Sequence, residues 1–171
     1  MASIRRSKRE SDRLIVAQNQ QDSARPIYVL NGPNLNLLGE REPEIYGRES
    51  LADIEEAVRA KAREHGWSVV FRQSNREGEL VDWIQEARAA AAAVILNAGG
   101  YSHTSIALLD AARALSVPLI EVHLSNPFAR EPYRRHSFIS EAAKGLICGF
   151  GASGYLLAVD ALAAIVKAKK P

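Results

Sequence analysis

Val94-Ile95-Leu96-Asn97-Ala98-Gly99-Gly100-Tyr101-Ser102-His103-Thr104 is the stretch on which the fold turns. Three apolar residues run without polar alternation into Asn97, and a helical pattern begins past His103. A run of this kind reads as a strand buried on both faces, as in a parallel sheet. Gly99 and Gly100 permit a sharp turn and leave room for close approach. His103 and Thr104 are then expected at a helix N-terminus, whose N–H groups favour anionic or oxygen-rich ligands. Taken alone, the Gly-Gly step is an ordinary strand-to-helix turn. Reactive side chains at two other strand ends favour a site.

Outward from this stretch, strands and helices alternate. Ile27-Tyr28-Val29-Leu30 is a short strand stopped by Asn31-Gly32-Pro33-Asn34. The loop 35–49 is long for a strand-to-helix link and carries Arg41 and Tyr46, which suits a lid or binding loop. Ser50 with Asp53 predicts a capping box. Leu51, Ile54, Val58 and Ala62 mark the buried stripe of the helix it opens, and Gly66 ends it. Trp67-Ser68-Val69-Val70-Phe71 reads as the second strand, followed by a helix over 77–92 with Leu80, Trp83, Ile84 and Ala87 on one face. After the opening strand, 104–115 reads as a helix with Ile106, Leu109 and Ala112 inward. Val117-Pro118-Leu119-Ile120-Glu121-Val122 is the fourth strand, and a charged segment over 128–137 follows it. Gly145-Leu146-Ile147-Cys148-Gly149-Phe150 is the fifth, and 155–167 is the last helix.

This alternation predicts an α/β fold: a five-stranded parallel sheet of flavodoxin-like order 2-1-3-4-5 with helices on both faces. Ligands in such sheets bind beyond the carboxyl ends of the strands, near the switch point. Strands one, three and four meet there. Their ends supply Asn34 with the Arg41/Tyr46 loop, Asn97 with His103, and Glu121, His123 and Ser125.

The chain has 171 residues, enough for one substantial core, and its apolar (47%) and charged (25%) shares are those of a globular protein. Residues 1–25 hold six basic residues against three acidic ones, which leaves the remainder at −1. They are expected to form a disordered N-terminal extension with a short helix around 12–19, ahead of a single domain over 26–171. A near-neutral body does not suggest nucleic-acid binding. No segment has the length of a membrane span, and the N-terminus lacks the apolar core of a secretory signal. The one cysteine, Cys148, is expected as a small buried residue in a reducing, cytoplasmic setting.

Several chemistries are poorly supported. There is no phosphate loop of Walker type, no G-x-G-x-x-G after the first strand, no HExxH and no cysteine pair. His103 and His123 lack an obvious third partner for a metal. Gly151-Ala152-Ser153-Gly154 falls short of a nucleophile elbow and reads as a helix-start turn.

Tyrosine, histidine and arginine remain. Ionising a free tyrosine at neutral pH costs roughly 4 kcal/mol. One arginine about 4 Å away returns about 4 kcal/mol at an effective dielectric of about 20. Arg41, helped by Arg130, is therefore able to hold Tyr46 as phenolate; a ring-packed tyrosine with arginines facing water accounts equally for the pair. Glu121 and His123 stand two apart, so both leave the same face of an extended segment. A carboxylate there fixes the imidazole tautomer and favours its protonated form, as a general acid requires. A satisfied polar pair at a strand end is the alternative. Arg130 and Arg134 are one helical turn apart if that segment is helical, and would clamp a carboxylate; surface solvation is the other reading.

With these residues assembled, the chain resembles the type II 3-dehydroquinate dehydratases over roughly 26–166. The resemblance rests on Asn31-Gly32-Pro33-Asn34-Leu35-Asn36-Leu37-Leu38-Gly39, Arg41-Glu42-Pro43 with Tyr46-Gly47, and Arg72-Gln73-Ser74-Asn75. It continues through Ile95-Leu96-Asn97-Ala98-Gly99-Gly100 with His103-Thr104-Ser105, Glu121-Val122-His123-Leu124-Ser125-Asn126, and Arg130-Glu131 with Arg134. It implies dehydration of 3-dehydroquinate to 3-dehydroshikimate without metal or cofactor, in aromatic amino-acid biosynthesis or, in some relatives, quinate breakdown. Tyr46 matches the base, Arg41 the group that lowers its pKa, and Asn34 the holder of a water at the enolate oxygen. His123 matches the acid, with Glu121 orienting it. Asn97, His103 and Arg134 match groups that hold ring hydroxyls, and the backbone of Leu124 and Ser125 matches the carboxylate site. Arg130 matches a lid arginine. Asp110 matches an aspartate that reaches a neighbouring subunit's site in the family's trimers, four of which form a dodecamer. Pro127-Phe128 departs from the family's usual apolar residue and histidine, and the extension 1–25 lies outside its pattern. An inactive flavodoxin-like binding module is the competing class; loss of Tyr46, Arg41 or His123 would mark it, and all three are present.

Overall fold

The computed structural model describes residues 25–40 and 48–168. The extension with its expected helix, and the loop residues Arg41 and Tyr46, lie outside the described residues. Five strands form one sheet: β1 (Ile27–Asn31), β2 (Val69–Gln73), β3 (Ala93–Asn97), β4 (Leu119–His123) and β5 (Gly145–Cys148). Their order is β2-β1-β3-β4-β5 and every pairing is parallel, the flavodoxin-like arrangement expected from the alternation. The long helices are α1 (Leu51–Glu64), α2 (Glu77–Ala90), α3 (Ile106–Arg113) and α4 (Ser153–Ala168). No helix among the described residues is long and apolar enough to cross a membrane.

Strand parity divides the core. Ile27, Val29, Ala93, Ile95, Ile120 and Val122 point to the face covered by α1 and α4. Tyr28, Leu30, Val94, Leu96 and Leu119 point to the face covered by α2 and α3. β1 and β3 are buried at every residue, as central strands covered on both sides must be.

Several boundaries differ from the sequence expectation, each for a local reason. Strand two begins at Val69, not Trp67. Gly66 takes a left-handed φ of 78°, and the Trp67 N–H donates to Ala62 O, closing the end of α1. That N–H is spent on the helix terminus and the ring is buried beneath it. α3 begins at Ile106, not Thr104, because Gly99–His103 forms its own 3-10 turn and Ser105 caps the helix, its Oγ accepting from Leu108 N–H. His103 therefore closes a 3-10 turn and does not stand at an α-helix N-terminus. Ile106, expected inward, is 58% exposed; Leu108, Leu109, Ala111 and Ala112 make the buried stripe. β5 stops at Cys148, since Gly149 turns the chain at φ 85° and leaves Phe150 exposed. Cys148 is half-buried, not buried, because β5 is an edge strand. Two 3-10 turns, Pro127–Ala129 and Pro132–Arg134, shape the charged segment, so Arg130 and Arg134 do not share one α-helical turn. The Ser50/Asp53 capping box forms as expected, with Ser50 N–H donating to Asp53 Oδ2 at 2.8 Å.

One polar knot lies in the α1/α4 face. Tyr155 of α4 is fully buried; its hydroxyl donates to Asn31 Oδ1 at 2.7 Å and accepts from Asn97 Nδ2 at 2.9 Å. Burial pushes this phenol well above the usual tyrosine range, so it stays protonated and able to donate. The knot ties the ends of β1 and β3 to α4. Replacing Tyr155 with Phe removes one hydroxyl and strands two buried amide groups. The expected loss is about 1–3 kcal/mol, read as a lower urea midpoint with an unchanged denaturant slope.

Candidate active site

A cleft of about 580 Å³, counted to its open mouth, lies at the carboxyl ends of β1, β3 and β4. Its first wall follows β1. Gly32 donates its N–H to Asn97 O at 2.7 Å, and a Cβ at this position would sit 2.3 Å from Ala98 O, so only glycine fits. Asn34 follows in the left-handed region (φ 67°), the one non-glycine residue with positive φ among the described residues. Asparagine tolerates that conformation better than other side chains. Its N–H donates to Asn75 Oδ1 at 2.9 Å, and Gln73 Nε2 donates to both Asn75 Oδ1 and Gly32 O. The Arg72-Gln73-Ser74-Asn75 segment thus braces the first wall.

The floor is Asn97, 2% exposed. Its Nδ2 donates to Tyr155 and its Oδ1 accepts from Gly99 N–H at 3.2 Å. The third side carries His123 at the end of β4, Leu124 and Ser125 just after it, and Arg130 and Arg134 from the charged segment. The Arg134 guanidinium lies over the Tyr133 ring, 5.3 Å from its centroid, and its Nε donates to Glu131 at 2.8 Å.

Two imidazoles line the cleft side by side. The rings of His103 and His123 are stacked, with centroids 6.0 Å apart and planes 12° from parallel. His123 Nε2 lies 2.8 Å from Glu121 Oε1. An ionised carboxylate only accepts, so Nε2 carries the hydrogen and Nδ1 is the nitrogen left for chemistry. Glu121 is fully buried. Burial would raise its pKa, but the hydrogen bond and charge of His123 and the hydroxyls of Ser137 and Ser140 outweigh it and hold the carboxyl below its ordinary value. His103 Nδ1 lies 2.7 Å from His136 O. A carbonyl only accepts, so Nδ1 donates and Nε2 is an acceptor. Burial lowers the pKa of His103, and the charges of His123 and Arg134 act the same way against the His136 carbonyl. His103 is therefore held neutral, ready to accept from a hydroxyl.

Of the residues singled out in the sequence, the cleft brings together Asn34, Asn97, His103, His123, Leu124, Ser125, Arg130 and Arg134. Glu121 stands behind His123, hydrogen-bonded to it, and does not itself line the cleft. Asp110 is exposed on α3 and does not line this cleft. Arg41 and Tyr46 lie outside the described residues. Pro127 lines the cleft, whereas Phe128 is 55% exposed. Among the described residues, no three His, Cys, Asp or Glu side chains converge as a metal-binding group. Sequence reasoning missed Ser137, Ser140 and Tyr155, and named Asn75 only within a matching motif, without its bracing role. A carboxylate at a buried strand position signals that donors must surround it, but not which residues supply them.

Comparison with known proteins places this geometry. Residues 25–163 match the family described as dehydroquinase class II. The chain is 59% identical over 144 residues to a 3-dehydroquinate dehydratase of Caulobacter sp. (strain K31), spanning 84% of this chain and 98% of that one. It is 61% identical over 137 residues to a 3-dehydroquinate dehydratase of Azorhizobium caulinodans, spanning 80% of this chain and 92% of that one. Among solved structures, the type II dehydroquinase of Propionibacterium acnes superposes with a TM-score of 0.79 at 42% identity, covering 82% of this chain and 97% of that one. A family match across most of the chain, relatives above half identity and a shared fold lead to one conclusion: the chain belongs to the class II dehydroquinase family.

Proposed function

We propose that this chain is a type II 3-dehydroquinate dehydratase, a hydro-lyase that converts 3-dehydroquinate to 3-dehydroshikimate without metal or organic cofactor, in aromatic amino-acid biosynthesis. The observation that carries the reading is the Glu121–His123 pair: a buried carboxylate behind an imidazole that opens onto a cleft with neutral His103 and two arginines.

Tyr46, held as phenolate by Arg41 and Arg130, removes the proton from the carbon beside the ketone. The electron pair moves into the ketone as an enolate, which a water held by Asn34 stabilises. As the enolate collapses, a carbon–carbon double bond forms and the hydroxyl leaves. His123 gives its proton to that hydroxyl, which departs as water. Positive groups and N–H donors arranged in advance around the developing anion are the main source of rate in such a reaction. Neutral His103 accepts from one ring hydroxyl. Arg134 and Asn97 hold others, Asn97 with the amide hydrogen not given to Tyr155. The backbone of Leu124 and Ser125 takes the substrate carboxylate.

Residues 26–171 form the single catalytic domain in this reading. The single half-buried Cys148 supports a cytoplasmic, reducing setting. The active form is a dodecamer built of trimers, in which Asp110 reaches a neighbour's cleft. Its exposure on α3, beside exposed Ile106, supports that placement.

Purified protein given 3-dehydroquinate is expected to build up ultraviolet absorbance from the conjugated enone, undiminished by chelator or borohydride; a flat trace from folded protein sinks the assignment. Tyr46→Phe is expected to abolish turnover while leaving substrate binding measurable by calorimetry, and near-normal rates would remove the tyrosine from the reaction. Light scattering is expected to give the mass of twelve chains, and a monomer would refute the shared site.

A further inference from the structure

We propose that Ser137 and Ser140 are positioning residues for the reaction, acting on His123 through Glu121; this rests on the dehydratase reading above. Both oxygens of Glu121 are engaged. Oε1 accepts from His123 Nε2 and from Ser137 Oγ, at 2.8 and 2.5 Å. Oε2 accepts from Ser140 Oγ. A carboxylate with one partner swings about its terminal bond. One gripped at both oxygens has a fixed plane, so Oε1 stays aimed at the imidazole. The ring is then held with Nδ1 toward the cleft.

The serines belong to one strap, 136–140, that serves both histidines. His136 O accepts from His103 Nδ1, and Phe138 N–H donates to Ser102 O at 2.8 Å, pinning the strap to the turn that carries His103. Ile139, between the two serines, is fully buried against the α2/α3 face and anchors it. Neither serine lines the cleft, so neither touches substrate.

Among the described residues, the charged and titratable groups around Glu121 are His123 on its own strand, His103 on the neighbouring turn with Arg134 beside it, and Cys148 on β5. With His123 neutral, the pair carries one buried negative charge, and the two hydroxyls stabilise that state most. Removing them makes the pair take up its proton at higher pH. It then donates that proton less readily. The alkaline limb of the rate profile must therefore move up while its plateau falls.

The test uses the full chain carrying Ser137→Ala, Ser140→Ala, both together, and Ser140→Thr, which keeps the hydroxyl. The double variant is expected to lose about tenfold in kcat with KM unchanged. Its alkaline limb is expected to rise by about one pH unit, and Ser140→Thr is expected to retain the parent limb. A folded double variant with parent kcat and limb overturns the proposal. So does a loss of kcat with an unmoved limb, which marks a merely structural role. If the double variant does not fold, the single variants carry the same test with smaller shifts. Nitrogen-15 NMR titration of the histidines separates this proposal from the activity reading. Should the parent show no dehydratase turnover, the activity reading fails. An unmoved His123 midpoint in the variants overturns the serine role, and an upward shift supports it.

Discussion

The two central strands have to part company at their carboxyl ends, and the cleft exists because they do. From β1 the chain crosses to α1, which packs with α4; from β3 it crosses to α3, which packs with α2. A crevice opens wherever neighbouring parallel strands send their connections to opposite faces. What keeps the crevice narrow is contact beneath it. Gly32 lies against the backbone of Ala98, and Asn31 and Asn97, partners in register, share the hydroxyl of Tyr155. A tyrosine in the last helix therefore sets the spacing of two strands that precede it by 124 and 58 residues.

The same parity that builds the core places a carboxylate inside it. Glu121 and His123 share a face with Leu119, the face packed by α2 and α3. A carboxylate there has lost its water, and a buried anion without donors is not tolerated. His123 and two serines supply them. Charge is thereby stored beside the cleft in a fixed direction, and the apolar packing around Ile139 keeps the donors from drifting.

The fold was legible because its signals are local and repeated: unbroken apolar runs for buried strands, helical stripes, and a capping box at Ser50. Errors fell where a backbone group had two possible uses. Trp67 looks like a strand residue until its N–H is seen closing α1, and Thr104 looks like a helix start until Gly99–His103 takes a turn of its own. At the site, residues on strand ends could be gathered from topology alone, since Asn97 and His123 end strands that must be neighbours and His103 follows the first of them. Their supports could not. Ser137 and Ser140 sit on an irregular segment with no period to read, and Tyr155 looks like any apolar-stripe residue of a helix.

The two stacked histidines illustrate how backing groups divide labour between identical side chains. The rings lie 6.0 Å apart, and positive charge on His123 adds to burial in lowering the proton affinity of His103. The contest is decided behind the rings. His123 is backed by an anion, which rewards positive charge; His103 is backed by the carbonyl of His136, a dipole that fixes its tautomer but offers far less to a cation. Burial and the charge of Arg134 press His103 further toward neutrality. Under the proposed reaction this asymmetry is what the chemistry needs: one ring that gives a proton to a departing hydroxyl, and one that accepts from a hydroxyl meant to stay. The distinction between them resides in a carboxylate and a carbonyl, and neither residue lines the cleft.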